Sequence, residues 1–152
     1  MIPMQNVKFV SVTPPVAIVD DASWTTTEID TLGWDYCTIC VYLGATDIAV
    51  AALTLTESET AGSGHANVTA GIWGTANNHA GSSSTLPSAT DDNKMFLYEI
   101  DLRDRMRYLD LTFTAGDGSA GTFAVAIAVL SRGNMGPTTV AERGDIVEIL
   151  RF

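Results

Sequence analysis

Residues 36–43, YCTICVYL, alternate without a break. Cys37, Ile39, Val41 and Leu43 fall on one side of an extended chain, and Tyr36, Thr38, Cys40 and Tyr42 on the other. Successive side chains of a strand point to opposite faces, so a period of two predicts a strand with one face in the core. The period recurs along the chain. MFLYEIDL (95–102) sets Phe96, Tyr98, Ile100 and Leu102 on one face, and RYLDLTFTA (107–115) sets Leu109, Leu111 and Phe113 opposite Asp110, Thr112 and Thr114. GTFAVAIAVL (121–130) alternates Phe123, Val125, Ile127 and Val129 with alanines, which predicts a strand packed on both sides. DIAVAALTLTES (47–58) opens like a helix, but its Leu-Thr-Leu-Thr end, with Ile48 and Val50, favours a strand.

Shorter strand candidates are 6–12, 16–19, 24–30, 66–73 and 145–151. Turn formers separate them: Gly44 after one strand, AGDGSAG (115–121) as a hairpin loop, and Pro14-Pro15 after the first strand. Short strands at regular spacing, with no amphipathic helix, predict an all-β fold. It is expected to be a single-domain antiparallel β-sandwich of jelly-roll or Greek-key type over residues 1–152. An N-terminal arm is expected at 1–5. A long polar loop, GTANNHAGSSSTLPSATDDNK (74–94), is long enough to be either functional or a flexible excursion. TTVAERGD (138–145) suits a single helical turn capped by Thr138 or Thr139.

With 46% apolar residues, the 152-residue chain has enough to bury a core, and no apolar run approaches the roughly 20 residues of a membrane-spanning helix. MIPMQNVKFV lacks a basic region followed by an apolar one, so no secretory signal is expected. Residues 9–93 hold ten acids and no Lys or Arg, while the rest holds eight of each, so the net charge of −10 belongs to that stretch. Phosphate contacts need clustered cations, so neither nucleic acid nor membrane is an expected partner. The acidic stretch reads as a solvated face or as a surface for a basic partner.

No motif predicts catalysis. Cys37 and Cys40 have C-x-x-C spacing, but within a strand they point to opposite faces, roughly 10 Å apart, beyond the Cα separation of about 7 Å that a disulfide tolerates. A zinc site would want a second ligand pair. His65 and His79 read as isolated surface histidines, and Ser58, Ser63 and Ser82–Ser84 lack a nucleophile elbow. Asp20-Asp21, Asp91-Asp92-Asn93 and Asp117 are loop carboxylates of the sort that collect Ca²⁺, without the spaced pattern of a dedicated loop. Catalytic, cofactor-binding and metal-ligating residues are therefore all expected to be none. Arg103, Arg105 and Arg107 interleave with Asp101, Asp104 and Asp110 around an expected hairpin turn; they read as local ion pairs or as docking points for a neighbour's acidic surface. Trp24, Trp34 and Trp73 read as core or interface residues, or as sugar-stacking platforms. The terminal EILRF (148–152) is apolar to its end and asks for a partner.

GWDYCTICVYLGATDIAVAALTLTES (33–58), followed by LPSATDDNKMFLYEIDLRDRMRYLDLTFTAGDG (86–118), resembles the head decoration, or cement, proteins of tailed bacteriophages. The resemblance covers roughly residues 30–132 as a pattern: an aromatic-rich strand, a polar loop, the DLRDRMRYLDL segment and a Gly-rich turn. It implies a non-enzymatic virion protein, a β-rich trimer made in the host cytoplasm and seated on the capsid outer surface. There it would bridge capsomers of the major capsid protein. The alternative is a glycan- or host-binding module of a head fibre or tail.

Overall fold

The computed structural model describes residues 4–75, 84–134, 136–137 and 139–150. Among these are eight strands: β1 (Val7–Thr13), β2 (Ile29–Asp30), β3 (Trp34–Thr46), β4 (Ala52–Ser58), β5 (Ala66–Ile72), β6 (Met95–Asp101), β7 (Tyr108–Thr114) and β8 (Thr122–Gly133). They form two antiparallel four-stranded sheets, ordered β1-β8-β3-β6 and β2-β7-β4-β5. The expected all-β sandwich is therefore present. Strands pair as β1 with β8, β2 with β7, β3 with β6 and β4 with β5. Those are the pairs of one long hairpin whose arms run out through β1–β4 and back through β5–β8, alternating between the sheets. No helix among the described residues is long and apolar enough to cross a membrane.

The inner faces supply one cluster of buried side chains. β3 contributes Cys37, Ile39, Val41 and Leu43, all fully buried, as its alternation predicts. β7 contributes Leu109, Leu111 and Phe113, and β6 contributes Tyr98 with Phe96 and Ile100 at the margin. Trp24 stacks on Phe113 with ring centroids 4.1 Å apart. In β8 the buried residues are Ala124, Ala126, Ala128 and Leu130, while Phe123 and Ile127 are exposed and Val125 and Val129 half-exposed. The expectation of a strand packed on both sides fails within this chain. Small residues on the core side of a central strand leave room for the large side chains around them, and the bulk of β8 is turned outward.

Both expected hairpins at 103–107 and 115–121 are inter-sheet crossings, because β6 and β8 lie in one sheet and β7 in the other. The first crossing contains a 3-10 turn at Leu102–Asp104, with the Asp101 carboxylate accepting from the Arg103 N–H at 3.2 Å. In the second, Asp47 accepts from the N–H groups of Ser119 and Ala120 at 2.5 and 2.7 Å, and Asp20 from Gly118 at 3.0 Å. Those amide donors hold the Asp47 carboxyl below its ordinary range. β4 begins only at Ala52, since 47–51 is spent crossing between sheets, and Gly44 lies inside β3 rather than after it.

Three weaker strand candidates are corrected. Residues 16–19 touch the sheet by one bridge, Val19 to Thr122. In 24–30, the Trp24 N–H donates to Phe113 O but the Thr27 N–H donates to Val12 O, so the segment swings to the other sheet before β2. Of 145–151, residue 151 lies outside the described residues; in the rest the Asp145 N–H donates to Phe9 O, and the Ile146 N–H then turns back to Gly144 O, lifting the chain off the β1 edge. Gly144 is required there: its φ is +81°, and a Cβ would run into the Phe9 carbonyl. The expected helical turn is a 3-10 turn at Ala141–Arg143, preceded by Thr139, whose Oγ1 accepts from the Glu142 N–H at 3.3 Å. Thr138 lies outside the described residues.

Of the expected 1–5 arm, residues 1–3 lie outside the described residues, and the Met4 carbonyl accepts from the buried Arg143 guanidinium. Of the 74–94 loop, residues 76–83 lie outside them. The remainder is tied to the sandwich by Val50 N–H to Pro87 O at 2.9 Å, Thr46 N–H to Asp92 at 2.9 Å and Leu43 N–H to Lys94 O at 3.1 Å, and the Ser88 N–H donates to Asp91 at 2.7 Å within the loop. That half of the loop is no flexible excursion.

Candidate functional site

Side chains directly opposite one another in a sheet share a face, so strand register shows what the first sheet presents to solvent. The outward rows are Val7–Ser131–Tyr36–Asp101, Phe9–Val129–Thr38–Glu99, Ser11–Ile127–Cys40–Leu97 and Val125–Tyr42–Met95. Phe123 extends the face, packed over Gly44, where any Cβ would press on the Phe123 side chain at 3.0 Å. Ile127 is 42% exposed, Phe123 47% and Leu97 50%. The first row is charged, with Asp101 paired to Arg103 and the Arg132 guanidinium over Tyr36; beyond it the rows carry one charge, Glu99 at their margin, on a chain whose net charge is −10. A contiguous apolar face spread over several strands is a surface that excludes water only when something covers it. This face is the candidate functional site. The period-two pattern of β8 carries the signal, an apolar set on each face, but not which set the core takes.

The two cysteines stand on opposite faces of β3, as their spacing predicts. Cys37 is fully buried and burial pushes its thiol up to about 12; Cys40 faces outward within the apolar rows, and partial burial also raises it. An activated thiol is shifted the other way. Among the described residues, no group of three His, Cys, Asp or Glu converges as metal ligands. The loop carboxylates instead accept backbone N–H groups, as Asp20, Asp47, Asp91 and Asp92 do. His65 is not an isolated surface side chain: its Nε2 lies 3.0 Å from Glu28 Oε2. His79, Ser82 and Ser83 lie outside the described residues. Ser58 Oγ donates to Ser63 O at 2.6 Å, a local turn closure rather than a nucleophile's environment.

The three arginines are engaged within the chain. Arg103 pairs with Asp101, Arg105 Nη1 lies 3.3 Å from Glu57 Oε1, and Arg107 grips Asp30 through two bonds of 2.8 Å. Arg107 holds the Asp30 carboxyl below its ordinary range, and Arg103 takes Asp101 down to about 2. Arg105 and Arg107 bind the β6–β7 crossing to the second sheet through Glu57 and Asp30, so of the expected local pairs Arg103–Asp101 forms and the other two arginines reach distant carboxylates.

A second feature lies between the edges of β5 and β6: a groove of about 870 Å³, lined by Leu55, Asn67, Trp73, Tyr98, Glu99 and Arg105 among others. Trp73 stands edge-on to Phe96 and Tyr98, at 5.4 and 6.0 Å between ring centroids. The Tyr98 hydroxyl donates to Gly71 O at 3.2 Å across the sandwich. Of the three tryptophans, Trp24 is buried under Phe113 and cannot offer a sugar platform; Trp34 and Trp73 are partly buried against the core.

Comparison with family models, with curated proteins and with solved structures finds no match to this chain.

Proposed function

We propose that this chain is a structural virion protein that decorates the outside of a tailed-bacteriophage head. As a trimer, it would stabilise the capsid by bridging capsomers. The observation that carries the reading is the apolar outer face of the first sheet, which marks the chain as a component of an assembly. The nested strand pairing supports it. We read that pairing as a jelly roll, an architecture used by viral capsid and lectin domains, and it counts here as fold-level analogy. The resemblance of residues 30–132 to decoration proteins supplies the capsid as the partner. The test is to mix purified protein with undecorated capsids and to measure binding and heat resistance. Co-sedimentation with a gain in heat resistance is expected, and the absence of both overturns the proposal.

The groove beside Trp73 favours a second reading, a glycan-binding module of a head fibre or tail. Its mixture of an indole with amide and carboxylate groups suits a polyhydroxylated ligand. Binding on a glycan array that is lost in Trp73→Ala would establish it in place of the first.

A further inference from the structure

The outer face of the first sheet has a counterpart in the same chain. After Asp145 bonds to the β1 edge at Phe9, residues 146–150 (IVEIL) leave the sheet, and Val147 is 97% exposed and Leu150 76% exposed. One chain thus presents two uncovered apolar surfaces: a face four strands wide, and a short segment that departs from the margin of that face beside Phe9. Val147 and Leu150 stand clear of their own chain, while Ile146 and Ile149 are partly buried against it. We infer that the outer face of the β1-β8-β3-β6 sheet is covered by the 146–150 segment of a second copy of this chain.

Three observations select that occupant. The first is reach: five extended residues span up to about 17 Å, and the three gaps between four strands, at about 4.8 Å each, need about 14 Å. The second is charge. Two copies at −10 repel wherever acidic surfaces meet, and on these rows Asp101 is paired with Arg103 and Glu99 is the one carboxylate left, so they are where like-charged copies can approach, the segment bringing Glu148 alone. A basic partner, by contrast, would find a single carboxylate here. The third is position: the segment leaves the fold at the border of the face it would cover on a neighbour. A donor segment on each copy and an acceptor face on each copy make a head-to-tail contact, which closes into a ring if the rotation allows. The inference rests on reading the chain as an assembly protein, but its test needs no capsid, so failure to decorate and failure to self-associate are separate results.

Cys40 reports on the face directly. It lies in the central row, and Cys37 is fully buried. The experiment follows thiol labelling of the unmodified protein across a wide range of concentration, with sedimentation velocity on the same samples. It is repeated for Val147→Ser combined with Leu150→Ser, and for Ile127→Lys, each checked for native circular dichroism. All three altered side chains are solvent-exposed in the single chain. The expected result is an oligomer at high concentration in which Cys40 labels at least about tenfold more slowly than in dilute protein, a decade being about 1.4 kcal/mol. Both variants should sediment as monomers and label fast at every concentration. A wild-type protein that stays monomeric with Cys40 freely reactive overturns the inference. So does an oligomer broken by Ile127→Lys but untouched by the double variant, which would mean face-to-face packing without the segment. Concentration-independent protection of Cys40 in a monomer, lost in the double variant, would place the segment on its own face and also overturns it.

Discussion

The outer faces of the two sheets are built on the same alternating strands and are finished differently. On the second sheet the outward pairs are Ala52–Thr114, Thr54–Thr112, Thr56–Asp110 and Ser58–Tyr108. Its hydroxyls are satisfied locally: Thr56 Oγ1 donates to Asp110 O at 3.2 Å, and Ser23 Oγ shares a proton with Thr114 Oγ1 at 2.7 Å. That face is polar, with Thr112 exposed and Thr54, Thr56 and Ser58 buried with their hydroxyls. On the first sheet the equivalent positions hold Val125, Ile127, Val129, Leu97 and Met95, which gain nothing from solvent. The inner positions of the two sheets do not differ in this way, since both bury aliphatic and aromatic side chains in one core. The contrast teaches that period two specifies which residues share a face, and the chemistry of the outward set specifies whether that face is finished.

The largest effect should come from the shared interior. Phe113→Ala removes the ring under Trp24, and a loss of about 3–5 kcal/mol in urea unfolding is expected. The sharper comparison uses one residue type on the two sides of the first sheet. Ile39→Ala, inside, should cost about 2–5 kcal/mol, whereas Ile127→Ala, outside, should cost under about 1 kcal/mol when the chain is dilute enough to be monomeric. Equal losses in the dilute chain would break the distinction between the faces. The cysteines repeat the comparison more finely. Cys37→Ser puts a hydroxyl into the core and should cost about 1–3 kcal/mol, against less than about 0.5 kcal/mol for Cys40→Ser, read by the same denaturation.

The smallest effect is at acid pH, where one carboxylate at the rim of each sheet titrates. Asp30 and Asp101 are held below their ordinary range, chiefly by hydrogen bonds from Arg107 and Arg103. A carboxyl whose folded pKa is depressed contributes its full stabilisation above its unfolded pKa of about 4 and loses it as the pH falls through the folded value. For Asp101 that loss runs down to about 2. Both pairs are open to solvent, so the contribution is slight. Arg107→Ala should lower the urea midpoint a little at pH 7, and the difference from wild type should vanish at the acid end of the titration.

Much of the fold was legible because strand alternation is local. The inward sets of β3, β6 and β7 could be named residue by residue, since a one-position slip would turn every one of those side chains to solvent. The candidate site was legible only in part. The pattern of β8 showed two apolar sets, but nothing local states which is covered, and the sequence reading covered both. The hairpins at 103–107 and 115–121 were misread for a related reason: turn residues show that the chain reverses, not which sheet receives the next strand. The 24–30 and 145–151 segments have strand-like residues, yet Thr27 bonds to Val12 and Ile146 folds back to Gly144. Competing partners distant in sequence decide such cases.

By itself, then, the sequence determined that this chain forms strands, which side chains share a face in each strand, that its two cysteines stand on opposite faces, and that residues 9–93 hold no Lys or Arg and so carry the net charge. These follow from periodicity and charge, which act over a few residues. Only the tertiary structure decided the nested pairing of the strands, the capture of Arg105 and Arg107 by carboxylates about fifty and eighty residues away, and the outward turn of Phe123, Val125, Ile127 and Val129. Burial is a property of the whole packed molecule. A strand with two apolar faces shows which of them the core takes only when the second sheet is laid against one and the other is left bare.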